Sequence, residues 1–247
     1  MALQLNLEKS AQKLVLSLEK AGVVKPPVLE VGFGLDVSGS FEDEHRDGST
    51  TKLLTRLIPW GLAFDPDRKL DVFTFSNGAR HVHHVGEVNE HNHESYVARN
   101  IIERVPGWNC GTDYSYMLER ALEHFGWSRQ VKKAGLFGRL MGRQDEVVTG
   151  ERKASVIFVA TDGENADKER TLEVLRASEA RNDKVYFIFL GISNQGSRFP
   201  FLETLGDRFN NTAFVPVSNL REFIEMSDEA LNEQLIGDEL LEWFGAK

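Results

Sequence analysis

With 247 residues, 41% of them hydrophobic, the chain can bury most of its apolar surface in one domain carrying appendages. A single cysteine, Cys110, excludes an internal disulfide, and no apolar run approaches the ~20 residues that a membrane helix needs. The formal net charge of -9 sets the overall field against nucleic acid, so no nucleic-acid partner is expected; "MALQLNLEKSAQKL" lacks the basic stretch and continuous apolar core of an export signal and points to the cytoplasm.

Residues 1–27 read as an N-terminal extension in which Leu7, Ala11, Leu14, Leu18 and Ala21 recur at helical spacing, with Ser10 as candidate N-cap and Gly22 as the stop. The alternation Leu14, Leu16, Leu18 would suit a strand almost as well; we read a helix. After Pro26 and Pro27, "VLEVGFGLD" predicts a central strand with Gly32, Gly34 and Asp36 on one face and Val31, Phe33 and Leu35 on the other. "KLLTRLIPWGLAF" has helical spacing through Leu53, Leu54, Leu57, Ile58 and Leu62, with a kink expected at Pro59. "KLDVFTFS" is the next strand, and "RHVHHVGEV" a short polar one suited to a sheet edge.

Helices are expected near Glu94 to Arg104 and from Tyr114 to Phe125, then the strand "ASVIFVATDG" and a helix from Asp167 to Ala180. The strand "KVYFIFLGI", a short helix around Phe199 to Leu205, the strand "TAFVPV" and a helical stretch from Asn219 to Phe244 complete the chain. Strands apolar on both faces and separated by helices predict an α/β fold, doubly wound, with a mostly parallel sheet covered on both sides. The sheet domain spans residues 28–218, and 219–247 is a C-terminal helical extension.

Two segments stand apart. Residues 126–153 hold seven basic residues (Arg129, Lys132, Lys133, Arg139, Arg143, Arg152, Lys153) against three acidic ones, a basic insert in an acidic protein. Its "GLFGRLMGR" puts Leu136, Phe137, Leu140 and Met141 on one side; a surface that docks a partner or touches a membrane through residues 132–143, and a plain surface loop, are equally good readings. His81, His83, His84, His91 and His93 raise the question of a zinc or nickel site, with His81 and His83 on one strand face and His91 and His93 in the next loop; a solvent-facing strand and loop is the preferred reading.

In a doubly wound sheet the crevice lies at the carboxyl ends of the strands, beside the reversal of strand order. Asp36, Ser38 and Ser40 end the first strand there, Thr112 sits in a glycine-led turn that opens a helix, and Asp162 ends another buried strand. Two carboxylates and three hydroxyls suit a hard divalent cation, Mg²⁺ or Mn²⁺, and the absence of His and Cys among them argues against zinc. Ser38 and Ser40 are expected to point the same way as alternate residues of an extended turn. Helix capping by the serines and Asp162 is the plain alternative for each loop alone. A phosphoryl-accepting Asp36 would be expected to carry a second acid at position 38, no G-x-S-x-G elbow is present, and no histidine is placed by sequence to act as a base. Glu42, Asn109, Asp113 and Glu164 flank the five oxygen donors and are candidate rim residues for a partner, although the acids Glu42, Asp43 and Glu44 read first as a solvated surface.

The three loops together, Asp36-Val37-Ser38-Gly39-Ser40, Gly111-Thr112 and Thr161-Asp162-Gly163, resemble the metal-ion-dependent adhesion site of von Willebrand factor type A domains over about residues 28–218. Within that superfamily, "DVSGSFEDEHRDGSTTKLLTRL", "FDPDRKLDVFTFSNGARHV" and "GTDYSYML" are most similar to the TerF-like bacterial and phage branch associated with tellurium-resistance and stress operons. The resemblance implies Mg²⁺ or Mn²⁺ held by Ser38, Ser40 and Thr112, with Asp36 and Asp162 bound directly or through water. It implies a non-catalytic, metal-dependent protein-interaction module whose ion accepts an Asp or Glu of a protein partner, in the cytoplasm of a bacterium or of a phage-infected host. Two alternatives stay open: a metal-dependent hydrolase or phosphotransferase, for which no convincing base or nucleophile is in view, and a scaffolding component of a phage-encoded assembly.

Overall fold

The computed structural model describes residues 6–25, 27–128, 130–132, 146–148, 151–193, 196 and 198–245. Along the chain run α1 (Leu7–Lys20), β1 (Glu30–Asp36), α2 (Glu42–Arg46), α3 (Ser49–Phe64), β2 (Leu70–Phe75), β3 (His83–Val88), α4 (Tyr96–Asn100) and α5 (Ser115–His124). Then come β4 (Gln130–Lys132), β5 (Glu146–Val148), β6 (Ser155–Thr161), α6 (Lys168–Ala180), β7 (Val185–Ile192), α7 (Pro200–Arg208) and β8 (Thr212–Val217). Three short helices, α8 (Leu220–Glu225), α9 (Asp228–Leu235) and α10 (Asp238–Trp243), end the described chain.

Six strands form one sheet in the order β3-β2-β1-β6-β7-β8, parallel throughout except for the antiparallel edge strand β3. β1, β2, β6 and β7 are buried along their whole length, which is why they read as continuous apolar runs. Alternate residues serve opposite cores. Val156, Phe158 and Ala160 of β6 join Leu14, Leu18, Leu53, Leu57 and Trp60 on one face, while Ile157 and Val159 join Met117, Leu122, Leu175 and Leu202 on the other. The expected doubly wound α/β architecture is therefore present.

β1 divides its faces as its sequence predicts. Val31, Phe33 and Leu35 enter the first core, and the glycines lie under α5. A Cβ at Gly34 would lie 2.9 Å from the Met117 sulfur, and one at Gly32 3.3 Å from Phe125, so glycine at both positions lets Met117 of α5 and Phe125 just after it lie against the strand without shifting. That close seat brings the turn preceding α5 to the end of β1.

Several local expectations are corrected. The cap of α1 is Asn6, which accepts from the Lys9 N–H at 3.1 Å, whereas Ser10 is buried and donates to Asp228 at 3.0 Å. Pro59 lies within the continuous run of α3, where its neighbours Leu57, Ile58 and Trp60 are buried and their packing offsets the missing backbone donor. The helix expected over Glu94 to Arg104 shrinks to a 3-10 turn and the five residues of α4, and the C-terminal stretch breaks into α8, α9 and α10 at Met226 and Ile236.

The terminal helices are tied to the sheet domain by a buried ion pair. Arg56 on α3 is 4% exposed; its guanidinium meets Asp228 at 3.0 Å and the Met226 carbonyl at 2.9 Å, and Lys13 reaches the same carboxylate at 3.1 Å. In the basic insert, β4 and β5 pair antiparallel as a ribbon apart from the main sheet. Lys133, Arg139, Arg143 and the apolar residues Leu136, Phe137, Leu140 and Met141 lie outside the described residues. Among the described residues no helix is long and apolar enough to cross a membrane.

Candidate metal centre

Strand order reverses between β1 and β6, and the loops leaving their carboxyl ends flank a crevice at that point. Asp36 is the last residue of β1, and Asp162 follows the last residue of β6. The third loop is brought alongside by main-chain bonds: the Gly39 N–H donates to the Cys110 carbonyl at 3.1 Å, and the Asn109 N–H to the Val37 carbonyl at 2.9 Å. Asn109 turns there with φ +60°, a left-handed conformation that asparagine tolerates.

The five expected donors converge. Ser38 and Ser40 share a hydrogen bond between their hydroxyls at 3.3 Å, and Ser40 donates to Asp162 Oδ1 at 2.8 Å. Thr112 donates to Asp36 Oδ2 at 3.3 Å, and the Ser38 N–H to Asp36 Oδ1 at 2.8 Å. The serines are not aligned by an extended turn, as expected from sequence; the chain enters a 3-10 turn at Gly39–Phe41 and still brings the hydroxyls together. Ser38 precedes that turn without a side-chain capping bond, which removes the plain capping alternative for it. Asp36, Ser38 and Thr112 are buried while Ser40 is exposed, so the cluster has a closed floor and an open mouth.

Supporting residues that the sequence did not single out complete the floor. Thr161, fully buried at the end of β6, donates to Asp36 Oδ2 at 2.6 Å. His45, which the sequence did not connect to the site, lies directly beneath. Its Nε2–H donates to the Asp36 carbonyl at 2.9 Å and its Nδ1 accepts from Thr50 at 3.0 Å. With both nitrogens engaged, and burial pushing its pKa down to about 4, His45 is a neutral strut rather than a base. Asp167 Oδ1 accepts from the Tyr114 N–H at 3.1 Å, the Ala166 N–H donates to the Thr112 carbonyl at 3.0 Å, and the Tyr114 hydroxyl donates to the Gly163 carbonyl at 2.6 Å. These bonds lock the Thr112 loop to the Asp162 loop.

Both carboxyl groups are costly to keep ionised here. Burial pushes Asp36 up to about 6 despite its hydrogen bonds, and burial together with the charge of Asp36 pushes Asp162 up to about 7. A cation between them would reverse that penalty. Space is kept for one by Gly163, where a Cβ would stand 2.8 Å from Thr112 Oγ1 and 3.8 Å from Asp36 Oδ2. An all-oxygen set with two penalised carboxylates fits a hard divalent ion.

At the rim, Glu42 accepts from Arg46 at 2.6 Å and from the Asn109 amide at 2.7 Å, so these two candidates meet. Glu164 is exposed and pairs with Lys168 at 2.6 Å, whereas Asp113 turns aside to accept from the Gly78 N–H at 2.7 Å. The histidines close in sequence take separate partners. His81 bonds Asn77 at 3.2 Å, His93 bonds Thr55 at 2.9 Å, and His91 extends into solvent. His84 leaves that group altogether and joins Asp71 and His124, a residue sequence reading did not connect to it because it lies on α5.

A family model described as "vWA found in TerF C terminus" matches residues 28–247. The chain is 25% identical over 241 residues to the Bacillus subtilis (strain 168) protein YcbR, covering 95% of this chain and 84% of that protein. Among solved structures, proximal thread matrix protein 1 from the mussel byssus superposes with a TM-score of 0.50 at 15% identity; 85% of this chain is covered, and it spans only 48% of the mussel protein. Manganese-loaded Plasmodium vivax TRAP protein gives a TM-score of 0.47 at 16% identity over 80% of this chain and 70% of that one.

Proposed function

The chain belongs to the TerF-like family of von Willebrand type A domains, and from that premise we propose that it is a non-catalytic protein-interaction module that works through Mg²⁺ or Mn²⁺. Ser38, Ser40, Thr112, Asp36 and Asp162 would hold the ion. The observation that carries this is the chain of hydrogen bonds running from Ser38 through Ser40 to Asp162, which joins loops from opposite sides of the strand reversal around oxygen donors alone. When bound there, a hard cation would supply positive charge to attract an anionic group arriving past the exposed Ser40.

The surroundings favour a carboxylate of a protein partner as the incoming group. Glu42 and Glu164 would repel it if free, but each is already paired, with Arg46 and Lys168. Ser40, exposed at the mouth, can turn its hydroxyl toward the newcomer. For catalysis, the nearest histidine offers nothing: His45 is sealed in and spends both nitrogens on structure. We place the module in the cytoplasm and in tellurium-resistance or stress-response systems on the family alone; tellurite sensitivity of a deletion strain tests the latter. Residues 28–218 would carry the interaction, with the terminal helices as supports.

The test is affinity capture from the source cells in Mg²⁺ and in EDTA, with Asp36→Ala as control, followed by titration of the captured partner and its Asp→Asn and Glu→Gln variants. Binding that requires Mg²⁺, Asp36 and one partner acid is expected. Equal capture in EDTA would remove the ion from the interaction, and Mg²⁺-dependent turnover in phosphatase or nucleotide-hydrolysis screens, lost in Asp36→Ala, would replace the module by an enzyme.

A further inference from the structure

We propose that Asp71, His84 and His124 form a second metal site, for a borderline divalent transition ion such as Zn²⁺. It is separate in place and in chemistry from the oxygen-lined centre. Asp71 is the second residue of β2, His84 comes from the edge strand β3, and His124 ends α5. Asp71 Oδ1 lies 2.9 Å from His84 Nε2 and 3.0 Å from His124 Nε2, and the three ligand atoms all fall within 4.8 Å of one another. Small side-chain rotations bring such atoms to the ~2.1 Å that zinc asks of nitrogen and carboxylate ligands.

The group is built rather than incidental. Asp71 is 2% exposed, and the carboxylate faces the sheet's second core. Both imidazoles direct Nε2 at the same carboxylate oxygen, Asp71 Oδ1. The rings are fixed from behind. Phe73 stands 4.9 Å from His84 and 5.3 Å from His124 between ring centroids, Phe125 stands 4.9 Å from His124, and the two imidazoles are 4.4 Å apart. The outer side is accessible, since the two histidine side chains are 27% and 31% exposed. Three protein ligands on an apolar backing with a solvent-facing side leave room for water or an incoming ligand.

An ionised carboxylate only accepts, so both rings now present Nε2–H to Asp71. Binding an ion requires both Nε2 lone pairs: a neutral ring moves its Nε2 proton to Nδ1, and a protonated ring releases its Nε2 proton to water. Nitrogen donors select borderline ions, whereas the oxygen set at Asp36 selects hard ones, so the two sites sort different metals. They are also well apart. Asp71 pairs with Gly32, four residues before Asp36 on β1, which is about 13 Å at ~3.3 Å per residue.

The experiment uses the full chain carrying Asp36→Ala, stripped with EDTA and titrated with Zn²⁺ by calorimetry and with Co²⁺ by visible absorption, in excess Mg²⁺. This background removes the first centre, so the outcome does not depend on whether that centre binds Mg²⁺; wild-type chain in excess Mg²⁺ serves if Asp36→Ala does not fold. One equivalent of Zn²⁺ and a Co²⁺ absorption band are expected. His84→Gln and His124→Gln, which keep an amide N–H for Asp71, should each weaken binding at least tenfold, and Asp71→Asn should do the same, with circular dichroism in EDTA establishing that each variant is folded. Absence of Zn²⁺ binding would overturn the proposal and leave a structural clamp. Undiminished binding in the His84→Gln, His124→Gln double variant would overturn it too, moving the ion to the exposed histidines of the β3 region.

Discussion

Ser40 on the loop after β1 donates to Asp162 on the loop after β6 at 2.8 Å, across 122 positions of sequence. Only the assembled sheet brings them together, so a cation at this point binds the folded chain alone and stabilises it by mass action. At 100 times its dissociation constant the gain is about 2.7 kcal/mol, or about 5–10 °C for a chain of this size. MgCl₂ is expected to raise the melting temperature relative to EDTA, with the rise lost in Asp36→Ala and reduced in Ser40→Ala. Coincident melting curves in metal and chelator would contradict this.

Thr161 gives Asp36 Oδ2 its shortest bond, 2.6 Å against 3.3 Å from Thr112. Thr161→Val keeps the shape and removes the donor, leaving a fully buried carboxylate underpaired. A loss of about 1–3 kcal/mol is expected in EDTA, read from urea midpoints. An unmoved midpoint would mean that Asp36 does not depend on this hydroxyl.

Thr112 separates metal affinity from folding. Thr112→Ala removes one proposed donor from a turn otherwise held by the Ala166 N–H, so it should weaken Mg²⁺ binding about tenfold or more while shifting the metal-free urea midpoint by under about 1 kcal/mol. Thr112→Ser keeps the oxygen and should be nearly silent. Calorimetric titration of the three chains distinguishes these cases, and equal Mg²⁺ affinities would take Thr112 out of the site.

Asp65, at the end of α3, carries a carboxyl that burial raises from 3.8 to about 6, with the nearby charge of Glu30 adding to the rise. A carboxyl raised in the folded state contributes stability below the unfolded value and loses it as pH climbs through the folded one. Asp65→Asn should therefore gain on the wild type between about pH 4 and pH 6.5 and level off above, by on the order of 1 kcal/mol after solvent screening. Paired urea titrations across that range measure the difference, and parallel midpoints would show no shift at Asp65.

The main strands and three of the site's loops were readable because their signals are local. β1 carries its glycines and its terminal Asp36 in one run, and each polar loop directly follows an apolar strand or opens a helix. Thr161, His45 and Asp167 were not singled out, although two of them lie within motifs quoted for other reasons, because their importance comes from what they touch across the sheet. The histidines show the same limit from the other side. Proximity in sequence suggested His81, His83, His91 and His93, whereas the fold joins His84 to a residue 13 positions before it and to another on a distant helix.

Arg56 and Asp228 set a limit on how this protein can be reused as a part. A chain cut at Val217 would keep Arg56 inside α3 while discarding Asp228 and the Met226 carbonyl, leaving a buried guanidinium without its partners; breaking a buried pair on one side typically costs about 3–5 kcal/mol. The family match running on to residue 247 agrees with treating the C-terminal helices as part of the inherited unit. Grafting the loops around Asp36 onto another framework, or fusing this chain to a new neighbour, should therefore begin beyond Phe244, which packs on the first core, since the helices after β8 supply the partner of a charge buried on α3.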